Sequence, residues 1–326
     1  MWHIKVPASS ANLGSGFDTL AMALSLSLDC WFSLSEETGF QVRGEGHDSL
    51  PHSTENLVWK TASHLYSAKA QQSMPSGRLT IKSRIPVARG LGSSAAAIVA
   101  GLLLANTFLS PRLTREELFD WAIGLEGHPD NVAAALFGGV VLAYEEQGRM
   151  RIKSFTAPEL RCVLVIPDYE VPTKKARQAL PETVALADAV FNAQRLALWV
   201  DALNRRDWSQ LAEAGRDRLH QPYRSALIPG MDDLIATALD QGAKFASLSG
   251  SGPTILALVQ PEDVPAVVQS LNQVAHQQVP APVHIHDIAP SYFGGECVLD
   301  GWQWHAGDAM GFNDWPDSRK INPPGH

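Results

Sequence analysis

The segment Pro86-Val-Ala-Arg-Gly-Leu-Gly-Ser-Ser-Ala-Ala96 sets two glycines and two serines directly before an apolar, Ala/Leu-rich run. Ahead of a helix this arrangement makes an anion site. The first helical N–H groups lack intrahelical partners and the helix dipole is positive there. Glycines let the backbone close on a phosphate without a Cβ clash. Gly90, Gly92, Ser93 and Ser94 meet this description, and the two serines can either cap the helix or donate to phosphate and metal. The loop is not a Walker A sequence, because no Gly-Lys-Ser/Thr follows. Gly90, Gly92 and Ala95 fit the dinucleotide pattern Gly-x-Gly-x-x-Ala, yet that pattern needs an acid closing a second strand about 20 residues on. Here that region holds a helix end, the Pro111 turn and a capping box at Thr114. On the loop alone, an ordinary tight turn with a serine N-cap stays open.

Composition narrows the partners. The chain has 326 residues, 45% of them hydrophobic and 18% charged, enough for a sizeable core in one large or two ordinary domains. A net charge of -8 and the lack of a Lys/Arg block argue against nucleic-acid binding, which needs clustered positive charge. Any phosphate must be held by a local site. Cys30, Cys162 and Cys297 form no CxxC pair or zinc set and fit a reducing compartment. Met1 to Ser10 has no signal-peptide pattern, and the longest apolar run, Ala95 to Leu104, is too short to span a bilayer. A cytoplasmic protein with no membrane partner is expected.

The elements around the loop are mixed. Strands are expected at Ile4 and Val6, at Cys30 to Leu34 after a buried element from Leu20 to Leu28, and from Leu79 to Ile85. Asn56 caps a helix running to Ala70. Ala95 to Phe108 reads as a helix buried all round. Thr114-Arg-Glu-Glu117 opens another helix, and Pro129 takes the first position of one that Gly138-Gly139 ends. Val140 to Tyr144 and Arg161 to Pro167 read as strands, with a domain break near Arg151 to Glu159. Long helices are expected over Glu182 to Leu203 and Trp208 to Leu219, then over Met231 to Asp240 and Pro261 to Val274. Thr254 to Val259 follows the turn Leu248-Ser-Gly-Ser-Gly-Pro253 as a strand. The last stretch, 299–326, is Trp-rich and carries no role that its residues reveal.

Three ordered motifs give the chain a family resemblance. Pro86-x-x-x-Gly-Leu-Gly-Ser-Ser-Ala-Ala96 resembles the phosphate-binding motif of the GHMP kinases. Val6-Pro-Ala-Ser-Ser-Ala-Asn-Leu-Gly-Ser-Gly-Phe-Asp18 is similar to their N-terminal substrate motif, and Ser247-Leu-Ser-Gly-Ser-Gly-Pro-Thr254 to their C-terminal glycine motif. Glu126-Gly-His-Pro-Asp-Asn131, Thr173 to Arg177 and Asp217 to Arg224 look like the members that act on an amino-acid hydroxyl. The resemblance covers about Trp2 to Val259. It implies an α+β fold of two domains: an N-terminal nucleotide-binding domain over 1–155, and a ferredoxin-like C-terminal domain over 156–298 that closes a cleft holding the active site. It also implies transfer of the ATP γ-phosphate to a small-molecule hydroxyl, with the side chain of homoserine as the expected acceptor; a homodimer is one candidate assembly, and the sequence leaves others open.

The resemblance also assigns residues. The loop Pro86, Val87, Ala88, Arg89, Gly90, Leu91, Gly92, Ser93, Ser94, Ala95 and Ala96 would wrap the ATP phosphates. Ser94 and Glu126 would hold Mg²⁺, a hard ion that prefers oxygen. An amino-acid acceptor needs an anion-binding and a cation-binding group. Arg224 and Arg177 suit its carboxylate, and by the resemblance Arg177 is read alternatively, or also, as facing the transferred phosphate. Asn12 and Asp18 would take the ammonium and hydroxyl end, although both types also favour turns. Asn131 falls where related kinases place a base. An amide cannot accept a proton at neutral pH, so Asn131 is expected to orient the hydroxyl, with the proton passing to phosphate. His128 is read both as a candidate catalyst and as a hydrogen-bonded structural residue. Thr173 would lie by the phosphate or the substrate, and Gly250 and Gly252 would shape the cleft. A mevalonate- or sugar-type kinase and a non-catalytic ligand-sensing relative are the competing readings. Asp18 with Arg224 speaks against the first, and intact Ser94 and Glu126 against the second.

Overall fold

The computed structural model describes residues 1–299, so the Trp-rich stretch 299–326 lies outside the described residues except for Leu299. β1 (Trp2–Ala11) runs antiparallel to β2 (Leu20–Leu34). The apolar element and the strand expected over 20–34 are one continuous strand, because its two halves serve different partners. Leu20 to Met22 pair with β5 (Val140–Glu146), and Leu28 to Leu34 pair with β4 (Gly77–Ser83). The register of β1 shifts between Pro7 and Ala8, where proline has no N–H to give the ladder. β3 (Gly39–Gly44) lies parallel to β4, and β6 (Arg149–Phe155) pairs with β5. The linker between the two halves therefore narrows to 156–160.

Four helices cover this sheet. Asn56 Oδ1 accepts from the Val58 amide at 3.1 Å and starts α1 (Leu57–Ala70). α2 (Ser93–Asn106) is buried nearly all round because α1, α3 (Arg115–Glu126), α4 (Asp130–Phe137) and the sheet surround it. Gly101 lets α2 approach α1: a Cβ there would lie 2.4 Å from the Val58 carbonyl oxygen. The Thr114–Glu117 capping box forms as the sequence predicts. Pro129 takes the cap position of α4 rather than its first turn, and Gly138 in the left-handed region ends it.

The second half is built on β7 (Arg161–Pro167), β8 (Phe245–Leu248), β9 (Ile255–Val259) and β10 (Val283–Ile288), in the order β10-β7-β9-β8 with every pair antiparallel. α9 (Met231–Asp240) and α10 (Val264–Gln278) complete a split β-α-β-β-α-β unit, the ferredoxin-like topology that the resemblance implied. β7 is buried on both faces. Cys162, Leu164 and Ile166 join the main core, whereas Val163 and Val165 join a second core with α9 and α10. The last described strand, β11 (Glu296–Leu299), returns to the first sheet and pairs with β1.

Between β7 and α9 lie α5 (Thr173–Gln178), α6 (Leu186–Arg205), α7 (Leu211–Ala214) and α8 (Gln221–Arg224). The long helix expected over 208–219 is therefore only the four-residue α7. The chain must break there because the β1–β2 loop comes against it: a Cβ on Gly14 would lie 2.0 Å from the Gly215 carbonyl oxygen. α6 anchors the same loop through Trp199, which is fully buried and donates from Nε1 to the Leu13 carbonyl at 3.0 Å. Burying a Trp side chain is worth on the order of 4–6 kcal/mol by area.

Candidate active site

The glycine loop carries β4 into α2 through three left-handed residues, Ala88, Gly90 and Gly92. Gly92 is the N-cap and supplies no side-chain acceptor. The serines do not cap the helix either. Ser94 Oγ instead donates to Glu126 Oε2 at 2.7 Å. The first-turn amides of α2 are thus left for a ligand, at the positive end of the dipole. Glycine is required at Gly90, where a Cβ would lie 2.3 Å from the Ser249 carbonyl oxygen, and at Gly92, where it would lie 2.1 Å from Ser9 Oγ.

The three motifs meet here. Ser249 Oγ donates to the Gly90 carbonyl at 2.7 Å, and the Gly250 amide to the Ala11 carbonyl at 3.1 Å. Asn12 Nδ2 and Arg224 Nη1 both donate to the Gly250 carbonyl at 3.0 Å. The turn Ser249–Gly252 is thus both the β8–β9 hairpin and a wall against the glycine loop. Together they enclose a cleft of about 380 Å³ between the two halves of the chain, lined among others by Asn12, Asp18, Gly90, Ser94, Arg177 and Arg224. Glu126, His128, Asn131, Thr173 and Gly250 line it too. Four of the loop and turn residues singled out in the sequence do not. Ala95 and Ala96 face the core, Pro86 borders a neighbouring pocket, and Gly252 is wedged against Ile228 and Leu248.

Charge in the cleft is arranged in pairs. Arg177 Nη1 and Nη2 grip Asp18 Oδ2 and Oδ1 at 2.9 and 2.8 Å, which raises the guanidinium pKa. Asp18 has a left-handed backbone, fixed by its amide donating to Asn12 Oδ1 at 3.1 Å. Both ends of the Asn12 amide are therefore engaged with protein. Arg224 is 2% exposed, and burial pushes its pKa down to about 10. Its Nε donates to the Ala176 carbonyl at 3.2 Å, while Nη2 makes no hydrogen bond among the described residues.

Asp130 is 2% exposed, and its Oδ1 accepts from the Asn131 amide at 2.7 Å and pairs with His128 Nδ1 at 3.2 Å. That bond, with help from Glu126, raises the His128 pKa against the opposing effects of burial and Arg177. A histidine held toward its charged form is a poor base. Asn131 Oδ1 accepts from Ser9 Oγ at 2.8 Å. Sequence reasoning did not single out Ser9, although it lies inside the Val6–Asp18 motif. It also missed Phe17, whose ring lies under both Arg177 and Arg224, and the apolar end of the cleft at Leu50, Leu57, Val58 and Ile81. Those apolar residues are scattered over 32 positions and carry no local signal.

Among the described residues no group of three or more His, Cys, Asp or Glu could hold a metal. The Ser94–Glu126 oxygen pair at the mouth of α2 nevertheless fits Mg²⁺, which takes one or two protein oxygens and completes its shell with phosphate and water. No helix among the described residues is long and apolar enough to cross a membrane.

Residues 56–139 match the model of the GHMP kinases N-terminal domain, and residues 199–277 match that of the GHMP kinases C-terminal domain. The chain belongs to the GHMP kinase family and is a phosphotransferase with an alcohol group as acceptor. Among its relatives, it is 40% identical over 272 residues to a homoserine kinase of Desulfitobacterium hafniense, covering 83% of this chain and 91% of that one. It is 45% identical over 270 residues to a homoserine kinase of Thermus thermophilus, with the same coverage. The crystal structure of a homoserine kinase from Cytophaga hutchinsonii superposes with a TM-score of 0.80 at 29% identity, covering 91% of this chain and 96% of that one.

Proposed function

We propose that the protein transfers the γ-phosphate of ATP to the side-chain hydroxyl of L-homoserine, giving O-phospho-L-homoserine and ADP, a cytoplasmic step of threonine biosynthesis. One observation carries this reading beyond the relatives: a phosphate cradle, a buried cationic Arg224 and the carboxylate of Asp18 share one cleft. A zwitterionic acceptor needs both charges, whereas a sugar needs neither.

Phosphoryl transfer is mostly positioning and charge stabilisation. The amides of the glycine loop and of the first turn of α2 hold the triphosphate, and the apolar end at Leu50, Leu57 and Ile81 takes the nucleoside. Ser94 and Glu126 would hold Mg²⁺, which neutralises phosphate charge when bound. Arg224 takes the acceptor carboxylate through Nη2, and Asp18 takes the ammonium. Arg177 spans the acceptor end and the phosphate, with Thr173 one turn before it on α5. Asn131, fixed by Ser9, orients the acceptor hydroxyl. Asp130 is already committed to the backbone and to His128, so the hydroxyl proton passes to phosphate.

The test is ADP release with ATP and Mg²⁺ over homoserine, serine, threonine, mevalonate and galactose. Homoserine is expected to give the highest kcat/KM; turnover of mevalonate or galactose without homoserine would overturn the assignment.

A further inference from the structure

His220 lies beneath the acceptor end of the cleft and has no part in the mechanism above. It is completely buried. Its Nε2 lies 2.8 Å from the Gly14 carbonyl oxygen, which can only accept, so the proton is on Nε2. Arg224 Nη1, which can only donate, lies 3.3 Å from Nδ1, so Nδ1 carries a lone pair and the ring is neutral. Phe17 stacks on the imidazole at 5.2 Å, and the Arg224 guanidinium lies 5.4 Å from the centroid of the Phe17 ring. We propose that His220 is a positioning residue for the acceptor site: its neutral Nδ1 holds the Arg224 guanidinium so that Nη2 is left for the substrate carboxylate. This rests on the reading of Arg224 as the carboxylate clamp.

Two features keep the imidazole in this state. Asp217 fixes the backbone around it, accepting from the Leu219, His220 and Gln221 amides and from Asn192 Nδ2 at 2.7 to 3.0 Å. Burial lowers the His220 pKa, and Arg224 lowers it further. Asp217 Oδ2, 3.5 Å from Nε2, pulls the other way but does not overcome burial. A protonated ring would turn an N–H against Nη1 and push the guanidinium off its other two acceptors, the carbonyls of Ala176 and Gly250.

Two variants separate the two ends of the ring. His220→Asn places a carbonyl oxygen near the Nδ1 position and gives up the Gly14 contact. His220→Gln reaches toward Gly14 and leaves Nη1 without this acceptor. The glutamine variant is expected to raise the KM for homoserine about tenfold, the worth of one hydrogen bond to a charged group, with kcat and the KM for ATP little changed. The asparagine variant should keep a KM close to that of the unaltered protein. Both lose the ring, so both should melt at similarly lowered temperatures. Equal KM changes in the two variants, or an unchanged KM in the glutamine variant, would overturn the inference. The unaltered protein is assayed first, and no turnover of homoserine at that stage sinks the functional reading itself. Should the variants not fold, nitrogen-15 NMR of the unaltered protein decides: a neutral ring protonated on Nε2 is expected at pH 7, and a charged ring or the Nδ1–H form overturns the proposal.

Discussion

Arg177 and Asp18 come from opposite halves of the chain, 159 positions apart, and close on each other through two parallel hydrogen bonds across the acceptor end of the cleft. On the proposed reading, the acceptor ammonium shares Asp18 with a guanidinium already in place. Asp18→Asn removes the charge that both cations use. The pair is partly exposed, so the loss should be at the lower end for a charged hydrogen bond, roughly tenfold in kcat/KM for homoserine. Steady-state kinetics should show the KM for ATP nearly unchanged.

Arg224→Leu removes the buried cation. The KM for homoserine should rise roughly 10- to 150-fold, the 1.5–3 kcal/mol of a charged hydrogen bond. ATP affinity, read by titration with a non-hydrolysable analogue, should barely change. A large loss of ATP binding would place Arg224 on the nucleotide.

Asn131→Ala and Asp130→Ala should behave differently. The first removes the amide that orients the hydroxyl, and kcat should fall roughly 100-fold or more. The second should cost mainly stability, about 1–3 kcal/mol by denaturant titration, because it strips a buried acceptor from the α4 start and from His128. Unchanged turnover in the first together with abolished turnover in the second would reverse the roles.

Glu126→Gln should raise the Mg²⁺ concentration needed for half-maximal rate by about 10- to 100-fold, since the neutral amide is a weaker ligand for a hard cation. The dependence on homoserine, measured at saturating Mg²⁺, should move far less.

His128 gives a pH signature. Its folded pKa is raised above the ordinary 6.5 by the bond to Asp130. The stability this contributes is fully present below 6.5 and is lost as pH rises through the raised value. Thermal melting of His128→Asn against the unaltered protein should therefore show a difference that is largest in mild acid and shrinks on the alkaline side.

Several local signals were read correctly, although Pro129 is the cap of α4 and not its first residue. The glycine loop ahead of α2, the Thr114–Glu117 box and the Asn56 cap each depend on residues within a few positions of one another. The ferredoxin-like half was expected only from the resemblance, and the alternation of Val283 and Ile285 with histidines in β10, a strand signal, went unread. The reading of 208–219 as one helix failed because its apolar spacing does not report Gly14 pressing on Gly215 from 201 positions away.

The sequence by itself determined which groups are on offer: a glycine-flanked helix mouth, the oxygens of Ser94 and Glu126, and charged residues of both signs. Only the tertiary structure decided how these are used. It paired Asp18 with Arg177, tied Asn12 to the Gly250 carbonyl, set His220 on the Gly14 carbonyl and brought Ser9 to Asn131. The reason is distance along the chain. A hydrogen bond between residues a hundred or more positions apart exists only once distant stretches of the chain have packed together, and nothing in the spacing of either residue encodes its partner.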